Sequence, residues 1–190
     1  MEYMYDLRIP KERVAVLIGK NGEIKKNIEK ATKTEINVDS DEGEIFITGD
    51  DTLGLYTAKE IVRAIGRGFN PEYASLLLKV DYGFEVFNIN EFSGKSKNNA
   101  MRLKGRVIGK EGKARRLIEE LTGTHICVYG KTIAIIGKIE DIATARRAVE
   151  NLLSGSPHSN VYRWLEKKRN DRNRDQNMGE NIGEIIGSEI

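Results

Sequence analysis

The stretch GRVIGKEGKARRLIEELTG, residues 105–123, decides the fold of this chain. In it, Gly109 and Gly112 enclose two polar residues, and a charged run with apolar residues at helical spacing follows. The same pattern occurs earlier in the chain, where Gly19 and Gly22 are the two glycines. One G-x-x-G motif is a weak signal, but two copies in the same apolar and helical context indicate a repeated unit.

Both turns are suited to contact with a sugar-phosphate chain. Glycine has no side chain to keep an approaching backbone away, and it adopts positive φ angles readily. The helix after each turn points free N–H groups and its positive dipole end at the turn, and Lys20 or Lys110 adds a charge. This arrangement resembles the GXXG loop of KH domains, which holds about four nucleotides of single-stranded nucleic acid. The alternative is a helix–turn–helix connection in which the glycines serve only as cap and turn.

Hydrophobic periodicity around each loop predicts the element order β-α-α-β-β-α twice. The first unit has predicted strands at 3–9, 35–39 and 44–48 and predicted helices at 11–17, 23–32 and 52–66. The second unit has predicted strands at 84–90, 124–129 and 132–137 and predicted helices at 97–107, 113–122 and 139–154. Residues 133–136 are apolar on both faces, which predicts a central strand. This element order, with its glycine loops, resembles that of a type I KH domain. The resemblance implies an α+β fold of two tandem type I KH domains, each a three-stranded antiparallel sheet with helices on one face.

Composition changes divide the chain into five predicted segments. They are a first KH domain at 1–68, a linker with a short helix at 69–80, a second KH domain at 81–155, a C-terminal helix at 156–170 and a tail at 171–190. The helix itself is expected over 158–169. The tail contains three glycines and no periodic apolar face, so it is expected to be disordered or to order on a partner. The two sheets are expected to be related by a pseudo-two-fold axis, with edge-to-edge joining as one option.

The overall composition excludes several classes of protein. With 39% hydrophobic and 32% charged residues, the 190-residue chain has no apolar run near the roughly 18 residues of a membrane helix. The first residues lack the apolar core of a signal peptide. Cys127 is the single cysteine, which excludes an intramolecular disulfide and favours a cytoplasmic location. One cysteine and two histidines do not make a zinc site, and no cofactor or membrane partner is predicted.

Positive charge distinguishes the two units. Residues 95–116 contain nine basic residues and one acid, whereas the matching window, 5–26, contains six basic residues and three acids. The first unit also has four acids at its strand turn, 39–44, where they would repel phosphate, and the second unit has Gly130 and Lys131 there. Because phosphate neutralisation dominates affinity for nucleic acid, the second unit is expected to be the main RNA-binding unit. A solvated basic helix face is the alternative.

The predicted RNA-binding residues of the second unit are Arg106, Ile108, Gly109, Lys110, Gly112, Lys113, Arg115, Arg116, Ile126 and Val128. The weaker candidates in the first unit are Ile18, Gly19, Lys20 and Gly22. The glycines permit backbone approach, and the two lysines with Arg116 meet phosphates. The apolar side chains form groove walls for bases, with Arg106 and Arg115 at the rim. Ile126 and Val128 are equally compatible with an ordinary core, because alternation puts them on one face of unknown exposure.

The tandem units, together with the ending GSPHSNVYRWLE at 155–166, resemble the archaeal small-subunit rRNA-processing KH proteins of the partner-of-NOB family. The resemblance covers residues 1–170. It implies a non-enzymatic protein that binds the 3′ end of the small-subunit rRNA and acts in ribosome assembly and pre-rRNA 3′-end processing. It also implies contact with the rRNA-trimming endonuclease and with the α subunit of a translation initiation factor. The alternative is a general KH RNA-binding protein or a translation-related scaffold, in which the first unit docks a protein.

The sequence departs from the general KH pattern in two ways. Many KH domains place an apolar residue third after the second glycine, where this chain has Lys25 and Arg115. The grooves are therefore expected to be more electrostatic and less base-selective. In addition, Lys33 stands where the second unit has Gly123, so the first of these helices lacks its glycine C-cap.

Enzymatic functions find little support in the sequence. The acids Asp39, Asp41, Glu42 and Glu44 could in principle hold Mg²⁺ in a nuclease. Acids in a turn between two strands usually face solvent, however, and no matching cluster lies near the glycine loop. The nucleotide-binding motif G-x-x-x-x-G-K-[S/T] is absent from the sequence. We therefore expect a binding protein and not an enzyme.

Overall fold

The computed structural model describes the backbone of residues 3–94 and 96–187 and the side chains of residues 3–94 and 96–174. The elements of the chain repeat in the predicted order. The first unit consists of β1 (Tyr3–Arg8), α1 (Lys11–Ile18), α2 (Glu23–Thr32), β2 (Glu35–Asp39), β3 (Glu44–Gly49) and α3 (Thr52–Gly66). The linker contains the short helix α4 (Pro71–Ala74). The second unit and the C-terminal region consist of β4 (Tyr82–Asn88), α5 (Asn90–Ser93), α6 (Lys97–Ile108), α7 (Lys113–Thr122), β5 (His125–Tyr129), β6 (Thr132–Lys138), α8 (Ile139–Leu153) and α9 (His158–Gly187).

Each unit contains one three-stranded antiparallel sheet. The strand orders are β1-β3-β2 in the first unit and β4-β6-β5 in the second, so the last strand of each unit is central. Residues 133–136 lie in β6 and are completely buried, as their two apolar faces predict. The predicted α+β fold with two three-stranded antiparallel sheets is confirmed.

The helices of each unit cover one face of its sheet. In the first unit, Ile45 and Ile47 of β3 are fully buried in one core with Leu17 of α1 and Ile61 of α3. In the second unit, the equivalent core is built from the residues Val107, Ile118, Ile126, Ile133, Ile135, Val149 and Leu152. These cores hold the two glycine loops at one end of the helix pairs that carry them.

The two units are joined through the face of a sheet and not through an edge. The two sheets share no strand pairing among the described strands, so the edge-to-edge option is wrong. Ala134 and Ile136 of β6 instead belong to the core of the first unit. The ring of Phe84 on β4 meets Phe69 edge to face, with 6.3 Å between the ring centroids. The reason is that β6 is apolar on both faces, and the face that its own helices leave uncovered packs against the first unit.

The last helix, α9, extends beyond its predicted end. It was expected over 158–169, but it continues to Gly187. Val161 and Leu165 are buried in the core of the second unit, and Arg172 forms an ion pair with Asp141 of α8. The ion pair holds α9 against α8 at a position beyond residue 169, the predicted end of the helix. The predicted tail, 171–190, therefore begins inside this helix, and its residues 188–190 lie outside the described residues.

Candidate nucleic-acid interface

The two glycine loops have the same shape. Each is a short 3₁₀ turn between two helices, Lys20–Gly22 in the first unit and Lys110–Gly112 in the second. The flanking glycines have φ angles of 71° and 75° in the first loop and 73° and 76° in the second. Between them, Asn21 and Glu111 both have a φ of 54°. The repetition that the sequence indicates is thus a repetition of backbone geometry.

The two glycines of each loop are required for different reasons. At Gly109, an added Cβ would lie 2.6 Å from the Cβ of Ala114 and 2.8 Å from its backbone nitrogen. The first glycine therefore lets the following helix pack closely against the turn. At Gly112, the nearest such neighbour is Nε of Arg116 at 3.9 Å, so its positive φ is what favours glycine. The predicted role of both glycines in backbone approach thus coexists with a structural one.

The basic side chains at the second loop differ in what they contact. Lys110 and Lys113 are exposed and make no ion pair with described residues. Arg116 is also exposed, but its guanidinium donates a 2.5 Å hydrogen bond to the carbonyl oxygen of Glu111. This bond braces the left-handed residue of the turn. Lys110 and Lys113 therefore present their charges to solvent, whereas Arg116 is hydrogen-bonded to the loop.

Arg106, which was predicted at the groove rim, donates its side-chain hydrogen bonds to the end of α8 and the residues after it. Its Nε donates to the carbonyl oxygen of Leu152 at 2.8 Å, and its Nη2 donates to that of Ser156 at 2.6 Å. In the first unit, Arg13 makes the matching bonds to the carbonyl oxygens of Ile65 and Phe69 at 2.8 and 2.6 Å. In both units this arginine satisfies carbonyl groups at the end of the long helix, where intrahelical partners are missing. Its role is to connect two helices of the same unit.

The predicted apolar groove walls differ in exposure. Ile126 is only 1% exposed and packs in the core of the second unit, which is the alternative that the sequence left open for it. The reason is that it points from β5 towards the helices. Val128, two residues later on the same face, is half-buried at the margin of this core. Ile108 is half-buried at the end of α6, next to the loop. Ile18 holds the same position beside the first loop.

Arg115 is held against the edge strand β5. Its Nη1 donates to the carbonyl oxygen of Ile126 at 3.3 Å, while Glu119 accepts the N–H of Ile126 at 2.7 Å. The side chains of Arg115 and Glu119 approach each other to 3.8 Å. Together they satisfy both backbone groups that Ile126 presents at the open edge of the sheet.

The first unit has an equivalent pair, Lys25 and Glu29, 3.0 Å apart, with Glu29 accepting the N–H of Ile36 at 2.7 Å. The cations Lys25 and Arg115, which stand where many KH domains have an apolar residue, therefore have a structural explanation. Sequence reasoning missed the glutamates, although their spacing of four residues from a cation was a usable signal.

The face of β5 that points away from its helices contacts the first unit. His125 and Tyr73 bring their rings to 4.4 Å between centroids, and the hydroxyl of Tyr129 donates a 2.5 Å hydrogen bond to Glu12. That bond lowers the pKa of Glu12 and raises the pKa of Tyr129. Burial raises the pKa of the Cys127 thiol, which disfavours the thiolate. Glu12 of the first unit and Tyr73 of the linker helix α4 thus support the edge strand β5 of the second unit.

The acidic turn of the first unit has a structural role. Oδ1 of Asp39 accepts hydrogen bonds from the backbone N–H groups of Asp41 and Glu42 at 2.9 and 3.2 Å. Glu42 also forms a 2.8 Å ion pair with Arg8. Among the described side chains, no group of three His, Cys, Asp or Glu residues is placed to hold a metal ion. No described helix is long and apolar enough to cross a membrane.

The fold and its two glycine loops define a protein with two KH domains. A family profile described as "KH domain" matches residues 5–64, and one described as "Eukaryotic type KH-domain (KH-domain type I)" matches residues 83–170. The "KH domain-containing protein MJ0443" of Methanocaldococcus jannaschii is 50% identical over 167 residues, which cover 86% of this chain and 73% of that protein. "RNA-binding protein PNO1" of Oryzias latipes is 34% identical over 113 residues, which cover 59% of this chain and 46% of that protein.

Solved structures extend this similarity to the whole arrangement. Dim2p from Pyrococcus horikoshii OT3 is 46% identical with a TM-score of 0.81, and the match covers 87% of this chain and 99% of that one. A structure described as an a/eIF2alpha-aDim2p-rRNA complex from the same organism matches with 45% identity and a TM-score of 0.84, covering 90% of this chain and 96% of that one. The chain belongs to the PNO1/Dim2 family of KH-domain proteins, as its repeat and its C-terminal motif predicted. This family is one of RNA-binding proteins and not of enzymes.

Proposed function

We propose that the protein binds single-stranded RNA at the 3′ end of the small-subunit rRNA and acts in ribosome assembly and pre-rRNA 3′-end processing. The glycine loop of the second unit is its main clamp. The observation that carries this proposal is that Lys110 and Lys113 extend into solvent from a turn of left-handed glycines at the start of α7. Two relatives support it. One, 45% identical, is described in complex with rRNA, and another, from Aspergillus fumigatus, is named "Pre-rRNA-processing protein pno1".

The clamp combines backbone and side-chain donors. The first N–H groups of α7 have no intrahelical acceptor, and they face the turn together with the positive end of the helix dipole. Lys110 and Lys113 add two charges that an RNA phosphate would neutralise. Bases of the bound strand lie against Ile108 and Val128, the half-buried apolar residues beside the loop and on the edge strand. The pairing of Arg115 with Glu119 keeps that strand in place.

The first loop is expected to bind RNA less well, although its geometry is the same. The strand turn of its unit exposes Asp39, Asp41, Glu42 and Glu44. One of these acids is neutralised by Arg8, and the others keep an excess of negative charge where phosphates would pass. In the second unit, the corresponding turn is Gly130-Lys131, both exposed. The charges at the two turns therefore favour RNA binding by the second unit over binding by the first.

Ultraviolet crosslinking of the full-length protein to small-subunit rRNA tests this proposal. We expect crosslinked peptides from residues 105–123 and crosslinked nucleotides near the 3′ end of the rRNA. Crosslinks confined to peptides of the first unit, or spread along the rRNA without a preferred site, would contradict it.

A second proposed function is docking of a protein on a surface that includes the first unit, and an exposed apolar patch favours it. The patch is formed by α3 of the first unit, the end of the linker and the start of α8. Leu53, Tyr56, Leu78, Val80 and Ile139 line one cavity of about 320 Å³, and each is between 43% and 93% exposed. Patches of this kind often mark protein interaction sites. The α subunit of the initiation factor, present in the complex of the relative, and the rRNA-trimming endonuclease are the candidate partners.

Titration of each purified partner against the full-length protein tests this docking site. Val80→Asp is expected to weaken the complex at least about tenfold and to leave RNA affinity unchanged. The matched control is Lys110→Asp, which should weaken RNA binding and leave the affinity for the partner unchanged. Unchanged partner affinity in Val80→Asp would exclude this patch as the docking site.

A further inference from the structure

A cavity lies beside α6, away from the glycine loop. Its volume is about 520 Å³, which is within the range of small-ligand sites. Ile89, Ala100 and Met101 form its apolar part, and Lys97, Lys104 and Lys131 surround it with cations. None of the described lining residues is acidic. Met101 is 74% exposed, which is unusual for a large apolar side chain and leaves its thioether available for contact.

The cavity is continuous with the loop along one face of α6. Lys97, Met101, Lys104 and Ile108 follow one another at intervals of three or four residues, so their side chains share a face. The last of them, Ile108, directly precedes Gly109. From Lys97 to Ile108 the face is roughly 16 Å long, at about 1.5 Å per residue. A strand held at the loop can therefore continue along this face without turning.

Gly105 provides a second observation on the same helix. It lies inside α6, between Met101 and Ile108, where glycine is less favourable than alanine. A Cβ added at Gly105 would meet no atom within 4 Å, so packing inside the described protein does not require a glycine there. The equivalent residue of the first unit, also four positions before the first loop glycine, is the exposed Ala15. An open glycine at this point allows the close approach of another backbone.

We propose that the RNA held by the second loop continues along α6 and places one unpaired nucleotide in this cavity. The base lies against Met101 and Ala100, because a thioether makes favourable contacts with aromatic rings. Its phosphates lie near Lys97, Lys104 and Lys131, and the strand passes over Gly105. The footprint of the second unit thus exceeds the roughly four nucleotides that one KH domain holds. This inference rests on the proposed function of the loop. The cations, the absence of described acids and the open glycine favour RNA over a protein segment.

Binding of RNAs of two lengths tests the inference. The probes are single-stranded RNAs of about four and about ten nucleotides from the 3′ end of the small-subunit rRNA, titrated against the full-length protein. Met101→Asp and Gly105→Ala should each weaken the longer RNA about five- to tenfold and leave the shorter one unchanged. Gly105→Ala should also raise the thermal midpoint, because alanine is the better helix former. A stabilised protein that binds RNA less well cannot be explained by damage to the fold.

Matched variants of the first unit serve as controls. Met4→Asp places the same charge on a similarly exposed methionine, 63% exposed, and Ala15→Gly reverses the helix substitution. Both should leave the affinity for either RNA unchanged. If Met101→Asp and Gly105→Ala leave the longer RNA unaffected, or weaken both RNAs equally, the cavity does not extend the site. A loop variant, Lys110→Asp, should weaken both lengths, and if it weakens neither, the proposed function of the loop is itself wrong.

Discussion

At the scale of single residues, the two units end the equivalent helices α2 and α7 with different C-cap residues. The residue after α2 is Lys33, with a φ of 55°, and the residue after α7 is Gly123, with a φ of 67°. Both positions therefore need a left-handed conformation, which costs an L-residue about 1–2 kcal/mol. The sequence predicted the missing glycine cap, and the structure has lysine adopting the glycine geometry.

Replacing Lys33 with glycine should stabilise the protein. The left-handed strain is removed, and the larger entropy of glycine in the unfolded chain offsets part of the gain. We expect the free energy of unfolding to rise by about 0.5–1 kcal/mol, measured by urea denaturation. The matched control is Gly123→Ala, which should lower it. An unchanged or lower stability of Lys33→Gly would show that its side chain contributes more than the strain costs.

The residue roles that the sequence could predict are the ones set by local spacing. The four loop glycines, the exposed lysines between and after them and the central strand all follow from short patterns. Arg106 could not be placed, because the carbonyl groups that it binds are 46 and 50 residues away in the chain. Ile126 could not be placed either. Alternation shows which residues share a face of a strand, but it does not show whether helices cover that face. A count of charges treats every arginine as available, whereas Arg115 is paired with a glutamate.

At the scale of elements, α9 shows how a tertiary contact extends a helix. Its glycines and polar composition predicted an early end, because such residues form helices poorly by themselves. Beyond the predicted end, however, Arg172 reaches Asp141, whose side chain is 12% exposed. Burial raises the pKa of Asp141, and Arg172 partly counteracts this shift. The ion pair therefore connects the helix to α8 at a position where an unpaired carboxylate would be unfavourable.

Removing the arginine should destabilise the protein in a pH-dependent way. We expect Arg172→Ala to lower the free energy of unfolding by about 1–2 kcal/mol at pH 7. A raised native pKa means that stability falls as the pH rises from the unfolded pKa of Asp141 through its folded pKa. Without Arg172 the folded pKa rises further, so this fall becomes larger. Below both pKa values the carboxyl group is neutral, and the effect of the substitution should nearly vanish.

Urea denaturation at pH 7 and at a pH below about 3.9, the ordinary pKa of an aspartate, provides the measurement. The control is Asp141→Asn, a background in which Arg172→Ala should have little effect at either pH. An equal loss at both values would mean that Arg172 stabilises α9 by packing and not by its charge.

At the scale of the whole molecule, the core of the first unit extends into the second unit, because Ala134 and Ile136 of β6 belong to it. Gly68, two residues after the end of α3, has a φ of 99°, and a Cβ added there would lie 2.8 Å from the sulfur of Cys127 and 3.0 Å from Tyr129. The equivalent Gly155 of the second unit has a φ of 98°, but an added Cβ would meet nothing within 4 Å. Replacing each glycine with alanine introduces the same backbone strain at both sites, but only the substitution at Gly68 also disturbs the contact between the units. The difference between the two losses of stability therefore measures that contact.

Gly68→Ala should cost more than Gly155→Ala. Both substitutions carry the strain of a positive φ, and the first also forces β5 away from the linker. We expect the free energy of unfolding to fall by about 1–2 kcal/mol more in Gly68→Ala, measured by urea denaturation. Because the core of the first unit includes residues of β6, each variant should still unfold in one transition. Equal losses at the two sites, or two separate transitions in the unmodified protein, would contradict a rigid connection between the units.

The repeat predicted the fold of each unit, but it did not predict how the units are arranged. Periodicity gives the residues that are buried, and residues 133–136 were correctly predicted to be buried on both faces. It does not give the partner of each face. The second face of β6 belongs to the same core as Phe69 and Leu77, which follow α3 in the chain and have no periodic pattern of their own. The predicted edge-to-edge option was wrong for this reason.

The central claim is that the glycine loop of the second unit is the main RNA clamp, and a matched pair of loop variants tests it most directly. Lys110→Asp with Glu111→Asp changes the second loop, and Lys20→Asp with Asn21→Asp changes the first. Both variants keep the glycines and substitute exposed residues, and aspartate tolerates the left-handed conformation. Circular dichroism should therefore show an intact fold in both.

Affinity for a single-stranded RNA from the 3′ end of the small-subunit rRNA is the quantity to measure, as a function of salt. The second-loop variant should bind at least about tenfold more weakly, or about 1.4 kcal/mol. Its salt dependence should flatten by about 0.7 in slope for each lost phosphate contact. The first-loop variant should lose far less RNA affinity than the second-loop variant. A folded second-loop variant with unchanged affinity and salt slope, or an equal or larger loss in the first-loop variant, would contradict the account.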